Sequence, residues 1–164
     1  MKFFLDIDGV MVHANPHKRV EFDEDGFYKF NSVAVETLNS VINQNGDDEL
    51  ILSTSHRFRF TVMEWEIMLN RRGIFAKKIS ILNLPLAGRL TRKAEIMNWI
   101  SERNLSPGDI VIIDDDKSLN DLPAPLKKRL VLTNPYTGLN GSSDLNKVLS
   151  RQGIGFHKKA VQKR

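Results

Sequence analysis

Four groups of residues have the types and spacing to do chemistry. Asp6-Ile7-Asp8-Gly9-Val10 directly follows the apolar run Lys2-Phe3-Phe4-Leu5. Two carboxylates two residues apart, leaving a strand, face one cavity if the loop curls, and Gly9 accepts the backbone angles that a curl needs. Asp114-Asp115-Asp116 ends the apolar run Ile110-Val111-Ile112-Ile113. Three adjacent acids raise one another's pKa unless a cation offsets them, and a hard divalent ion such as Mg²⁺, with oxygen ligands, supplies the offset. Leu52-Ser53-Thr54-Ser55-His56-Arg57 places hydroxyls and backbone N–H groups at a strand-to-helix turn, a setting that holds phosphate oxygens, with Arg57 as a further charged donor. Lys93, in Thr91-Arg92-Lys93-Ala94, stands at a helix start, where a lysine is poorly placed for the helix dipole unless it points at an anion. Each group alone also has a plain structural explanation: an Asp-Gly turn, an acidic loop capped by Asp116 or Ser118, a helix cap, a surface lysine.

These groups need elements to position them. Short apolar runs predict five strands, over 2–5, 50–52, 79–82, 110–113 and 130–132. Helices are expected between them. One buries Ala34, Leu38, Val41 and Ile42 behind an Asn31 or Ser32 cap. One over 60–72 offers Val62, Met63, Met68 and Leu69 to the core. One over 91–103 offers Ile96, Trp99 and Ile100, and a last runs over 143–151. The Asp25-Gly26 turn between Val20-Glu21-Phe22 and Phe27-Tyr28-Lys29-Phe30 reads as a small β-hairpin. Apolar strands alternating with helices predict a Rossmann-like, three-layer α/β sandwich around a five-stranded, mainly parallel sheet. In such sheets ligands bind beyond the carboxyl ends of the strands. Asp6, Ser53, Asp114 and Thr133 are the polar residues standing there.

In chain order the groups read D-x-D-G, Ser, Lys, D-D. On these residues the sequence resembles the haloacid dehalogenase-like (HAD) superfamily, most of whose members move phosphoryl groups, across roughly residues 2–116. The Ser53-Thr54-Ser55-His56-Arg57 stretch, the triple Asp and Thr133-Asn134-Pro135-Tyr136-Thr137-Gly138-Leu139 are further similar to the phosphatase-like domains attached to RNA-repair enzymes. The resemblance implies a Mg²⁺-dependent phosphatase. In it, Asp6 attacks phosphorus and forms an aspartyl-phosphate. Asp8 protonates the leaving oxygen and then deprotonates water. Ser53 holds a phosphoryl oxygen, with Thr54, Arg57 and Gly9 as neighbouring substrate contacts, and Lys93 neutralises charge. The metal is implied to sit on Asp6, the backbone carbonyl of Asp8, Asp114 and Asp115. The choices among Asp114, Asp115 and Asp116, and between Ser53 and Thr54, stay open. A non-catalytic nucleic-acid or partner-binding domain of the same fold, and a phosphotransferase, are the alternatives.

The intervals between the groups are short. Asp6 and Ser53 are separated by 46 residues, Ser53 and Lys93 by 39, and neither stretch has room for a folded cap domain. The expectation is an open site covered at most by an 11–31 flap, suited to a nucleic-acid end or a phosphoprotein. His13, His17, Lys18 and Arg19 are placed on that flap to meet an anion.

Composition narrows the rest. The 164 residues contain no cysteine, which excludes disulfide scaffolds, thiolate zinc sites and thiol catalysis. There is no phosphate-loop or dinucleotide-binding glycine motif. No apolar run approaches the roughly 20 residues of a membrane span, and Asp6 comes too early for a secretory signal. A cytoplasmic protein is expected. The net charge of +4 has one source: residues 151–164 hold five of the 24 basic residues and no acid, and the remaining 19 face 20 acids. The division expected is one catalytic domain over 1–150 and a basic tail over 151–164, which makes nucleic acid a candidate partner.

Overall fold

The structure, a computed structural model, describes residues 1–83 and 89–150. Its centre follows from the lack of alternation in the strands. In β1 (Lys2–Leu5), Phe3 and Leu5 enter one hydrophobic core and Phe4 the other. β2 (Glu49–Leu52) and β4 (Ile110–Asp114) divide in the same way: Leu50, Leu52, Val111 and Ile113 on one side, Ile51, Ile110 and Ile112 on the other. A strand buried on both faces reads as a continuous apolar run. With β3 (Ile79–Ile81) and β5 (Leu130–Leu132) they form one all-parallel sheet of order β3-β2-β1-β4-β5. The first core takes residues of α1 (Ser32–Asn39), α2 (Val62–Arg71) and α5 (Ser143–Ser150). The second takes α3 (Arg92–Glu102), α4 (Ala124–Lys127) and a 3₁₀ turn over Lys117–Asp121. This is the expected Rossmann-like three-layer sandwich.

Register positions the chemistry. Leu5 pairs with Leu52 on one side and Ile113 on the other. One residue on, the Ser53 N–H donates to the Leu5 carbonyl (3.0 Å) and the Asp6 N–H to the Ile113 carbonyl (3.0 Å). Asp6, Ser53 and Asp114 therefore leave three adjacent strands at one level. β1 is where the order reverses, so this rim is a topological switch point.

Helix starts follow local chemistry. Asn31 caps α1 through its side chain, Thr61 and Glu64 form a capping box on α2, and the Thr91 hydroxyl accepts from Ala94 N–H at the start of α3. α1 stops at Asn39, while Val41 and Ile42 stay buried in the turn that follows. On α2 the inward stripe is Trp65, Met68 and Leu69. Val62 and Met63, expected in the core, are exposed: Met63 lies about 200° around the helix from Trp65, and Val62, though on the Trp65 side, is the first residue of α2, at the end of the packed stripe. Trp65 and Trp99 are both core residues. Among the described residues no helix is long and apolar enough to cross a membrane.

The small hairpin expected in the flap is present: Phe22 bridges Tyr28 antiparallel, and the Asp23 and Lys29 N–H groups donate to the Phe27 and Glu21 carbonyls around the Asp23–Gly26 turn. Side chains dock it on the core. Phe27 packs edge-on against Trp65 and Phe60, with ring centres 5.5 and 5.8 Å away. Arg72, one turn beyond Met68 and Leu69, is buried. It forks onto both Asp25 oxygens at 2.7 Å and donates to the Tyr28 and Met68 carbonyls. This fork holds the Asp25 carboxyl down at a pKa of about 2. Asp25 faces solvent and Arg72 keeps Asp23 at 3.6 Å, so Asp25→Ala should cost about 1 kcal/mol in a denaturant melt. The native chain should keep the contribution above pH 4 and lose it as pH falls towards 2. A melt midpoint unmoved by Asp25→Ala would show that the flap is held without it.

Candidate active site

After Asp6 the chain curls at once. The Ile7 carbonyl accepts from the N–H groups of Val10, Met11 and Val12, and the Gly9 N–H donates to the Val12 carbonyl. Gly9 has φ +73°, and a Cβ there would collide with the carboxylate of Asp115. The loop after β5 buttresses the curl: the Thr133 hydroxyl donates to the Gly9 carbonyl (2.7 Å), and the Leu139 N–H to the Val10 carbonyl (2.8 Å). Gly138, at φ +67°, lies so close that a Cβ would stand 2.5 Å from the Val10 oxygen. Both glycines are thus required by close approach as well as by positive φ.

The curl brings the two acidic groups together. Asp6, Asp114 and Asp115 each offer a carboxylate oxygen within 4.8 Å of the others. Asp6 and Asp114 are buried, Asp115 partly so. Burial, and then the charge of Asp6, push Asp114 up to a pKa of about 7 and Asp115 to about 6. Burial likewise raises Asp6, against the opposing pull of Arg92. Asp116 stands apart: its carboxylate accepts from the Ser118 N–H (2.8 Å) and caps the 3₁₀ turn. Three oxygen donors held together at an energetic disadvantage fit a hard divalent cation.

The cation that the chain itself supplies is Arg92. Its Nη1 lies 2.9 Å from Asp114 Oδ2 and 3.6 Å from Asp6 Oδ1. Sequence reading placed Lys93 in this role. Among the described residues Lys93 makes no ion pair with either carboxylate, since adjacent helical positions point about 100° apart. Glu95 steadies Arg92 from behind (3.6 Å) and pairs with Arg57 (2.7 Å). Arg57, expected to meet phosphate, is buried and directs its guanidinium to the carbonyls of Leu82, Ser53 and Thr54 as well as to Glu95. It clamps the ends of β2 and β3 to α3.

Ser53 and Thr54 separate in the same loop. The Thr54 hydroxyl accepts from the His56 N–H (3.3 Å), whereas the buried Ser53 hydroxyl has no hydrogen-bond partner among the described residues. Asp8 lies within the curl, its carboxylate 40% exposed, with Oδ2 2.8 Å from His56 Nε2. His56 is the residue that sequence reading left without a role. The available signal was its place inside the Ser53–Arg57 loop. A cavity of about 410 Å³, lined by Ser55, Thr91, Arg92, Glu95 and Asp116 among others, opens beside this rim.

The match to known proteins is consistent with this geometry. A family model described as the HAD domain in Swiss Army Knife RNA repair proteins matches residues 3–143. The chain belongs to that family. Two solved structures resemble this HAD domain. One is the cobalt-bound deoxy-D-mannose-octulosonate 8-phosphate phosphatase of Haemophilus influenzae, at 15% identity and TM-score 0.45, covering 93% of this chain and 88% of that one. The other is a hypothetical protein of Xanthomonas campestris, at 16% identity and TM-score 0.44, covering 93% and 82%. Comparison with curated proteins gives no match.

Proposed function

We propose that this HAD domain is a divalent-metal-dependent phosphomonoester hydrolase working through an aspartyl-phosphate on Asp6. The observation that carries the reading is the convergence of Asp6, Asp114 and Asp115 with Arg92, beside the unpartnered Ser53 hydroxyl. Asp6, Asp114, Asp115 and the backbone carbonyl of Asp8 would hold Mg²⁺, with the Arg92 guanidinium beside Asp6 and Asp114. When bound, the ion would screen the repulsion between carboxylate and phosphate.

The chain's own residues then divide the work. Ser53 donates to a phosphoryl oxygen, and Arg92 neutralises the charge beside it. An Asp6 oxygen attacks phosphorus. The bond from phosphorus to the ester oxygen breaks, and that oxygen takes the proton of the Asp8 carboxyl. Asp8, now a carboxylate, takes a proton from water, which attacks phosphorus and frees Asp6 and inorganic phosphate. Proton transfer by a placed carboxyl contributes about 10²–10⁴-fold.

The surroundings favour a large anionic substrate. Among the described residues nothing larger than the flap covers the rim, and a groove of about 480 Å³ at the base of the flap is lined by Lys18, Arg19, His13 and the exposed Tyr136. Basic side chains beside an exposed aromatic ring suit a nucleic-acid strand, and the family description names RNA repair proteins. A phosphorylated polynucleotide end is therefore the proposed substrate class, and residues 151–164, which lie outside the described residues, supply further basic charge. The test is phosphate release with Mg²⁺ from an aryl phosphate and from 3′- and 5′-phosphorylated oligonucleotides. Turnover abolished by chelator is expected, with kcat/KM higher for an oligonucleotide end than for the aryl ester. No release from any phosphomonoester would make the domain a binding module.

A further inference from the structure

Asp8 is held from outside the motif that supplies it. His56 Nε2 lies 2.8 Å from Asp8 Oδ2, and on the far side of the ring Arg59 Nη1 lies 3.2 Å from Nδ1. A guanidinium has donors only, so Nδ1 accepts, and the N–H of the neutral ring stands on Nε2, aimed at Asp8. The ring has little freedom to turn. Phe27 and Tyr28 pack edge-on against it, each with centroids 5.5 Å away, and the His56 side chain is 17% exposed. Its backbone N–H is bonded to Thr54, one residue from Ser53. Tyr28 also faces Asp8: burial, and then the Asp8 charge, raise the pKa of its phenol.

We infer that His56 is a positioning residue for the general acid, fixing Asp8 through Oδ2 so that Oδ1 meets the ester oxygen. The inference rests on the reading of Asp8 as the proton donor. His56 neither gains nor loses a proton in this step. Arg59 acts one link further out, by selecting the ring tautomer.

A structural prop and a positioning residue differ in what they do to different leaving groups. An alkoxide leaves poorly and needs the proton as the bond breaks, whereas an activated aryl oxide leaves without it. His56→Ala should therefore lower kcat/KM on an alkyl phosphate by roughly 10–100-fold, and on an aryl phosphate by no more than about threefold. His56→Gln, whose amide N–H reaches the same oxygen, should recover most of the loss on the alkyl ester. Equal losses on both esters in His56→Ala, or no recovery in His56→Gln, would overturn the inference. A second readout needs no turnover. Nitrogen-15 NMR of the His56 ring in the metal-free protein should show a protonated Nε2 and a bare Nδ1. A protonated Nδ1 in the native chain would overturn the inference by itself. Absence of native turnover on both esters would remove the proposed hydrolase reading and leave the NMR result to decide the hydrogen bond.

Discussion

Asp6→Asn should abolish phosphate release and, in chelator, melt later than the native chain. The two effects have one cause. Asp6 is 5% exposed, and its charged form is opposed by burial and by the charge of Asp8. It also raises Asp114 and Asp115. Asparagine keeps the shape and removes the charge, so the neighbouring carboxyls ionise at less cost. Arg92 keeps Asp114 at 2.9 Å and Glu95 at 3.6 Å, so it is not left as a lone buried cation. A stabilisation of about 1 kcal/mol, read as roughly 2–4 °C in a melt, is the expected scale. Turnover should fall by at least about 10⁴-fold, the scale on which removal of a nucleophile registers. Measured together, phosphate release and the melt test the assignment twice. Retained turnover would move the nucleophile elsewhere, and an unchanged melt would show that the three carboxylates do not strain the fold.

The acidic side of this site was legible because strand endings are. A run such as Ile110-Val111-Ile112-Ile113 can only be a strand covered on both faces, and the polar residue after it must then lie at the rim. Asp6, Ser53 and Asp114 were placed by that rule alone, and the register sets them level. Gly9 was legible for its backbone freedom. Its second reason, the Asp115 carboxylate packed against it, joins residues more than a hundred positions apart and has no local trace.

The basic side was not legible, because it is decided by partners from other elements. Arg92 and Lys93 are adjacent and equally cationic. What selects Arg92 is the chain of Arg57, Glu95 and Asp114, drawn from three segments. Arg57 sat in a loop that reads as phosphate-binding, and only the fold shows its guanidinium directed to the carbonyls of Leu82, Ser53 and Thr54. His56 has a partner 48 residues away in Asp8, and a lone histidine has no spacing to reveal it. The small hairpin was legible from its Asp25-Gly26 turn, but what docks it was not: Phe27 and Asp25 find Trp65 and Arg72, in and just after α2.

In chelator the protein should lose stability as pH rises from about 4 to 8, and a divalent cation should restore it most at the upper end. The sign follows from the raised carboxyls. Asp115 titrates at about 6 and Asp114 at about 7 in the folded chain, against roughly 3.9 for an unfolded aspartate. Between those values the folded state holds protons that the unfolded state has released, so unfolding becomes easier as pH climbs. The contribution is complete below about pH 4 and gone once pH passes 7. A cation takes the place of these protons and meets no competition above pH 7, whereas at pH 5 it must displace them. At a hundredfold excess over its Kd, Mg²⁺ should add about 2.7 kcal/mol at pH 8, a rise of roughly 5–10 °C for a chain of this size, and far less at pH 5. Asp115→Asn should shrink both the pH slope and the Mg²⁺ shift. Asp116→Asn should change both far less, because that carboxylate is engaged with the Ser118 N–H and is not one of the three clustered ligand oxygens. Equal Mg²⁺ shifts at pH 5 and pH 8, or a melt in chelator that does not change with pH, would mean that the three acids do not act as one ligand set, and the metal would have to be sought at another part of the rim.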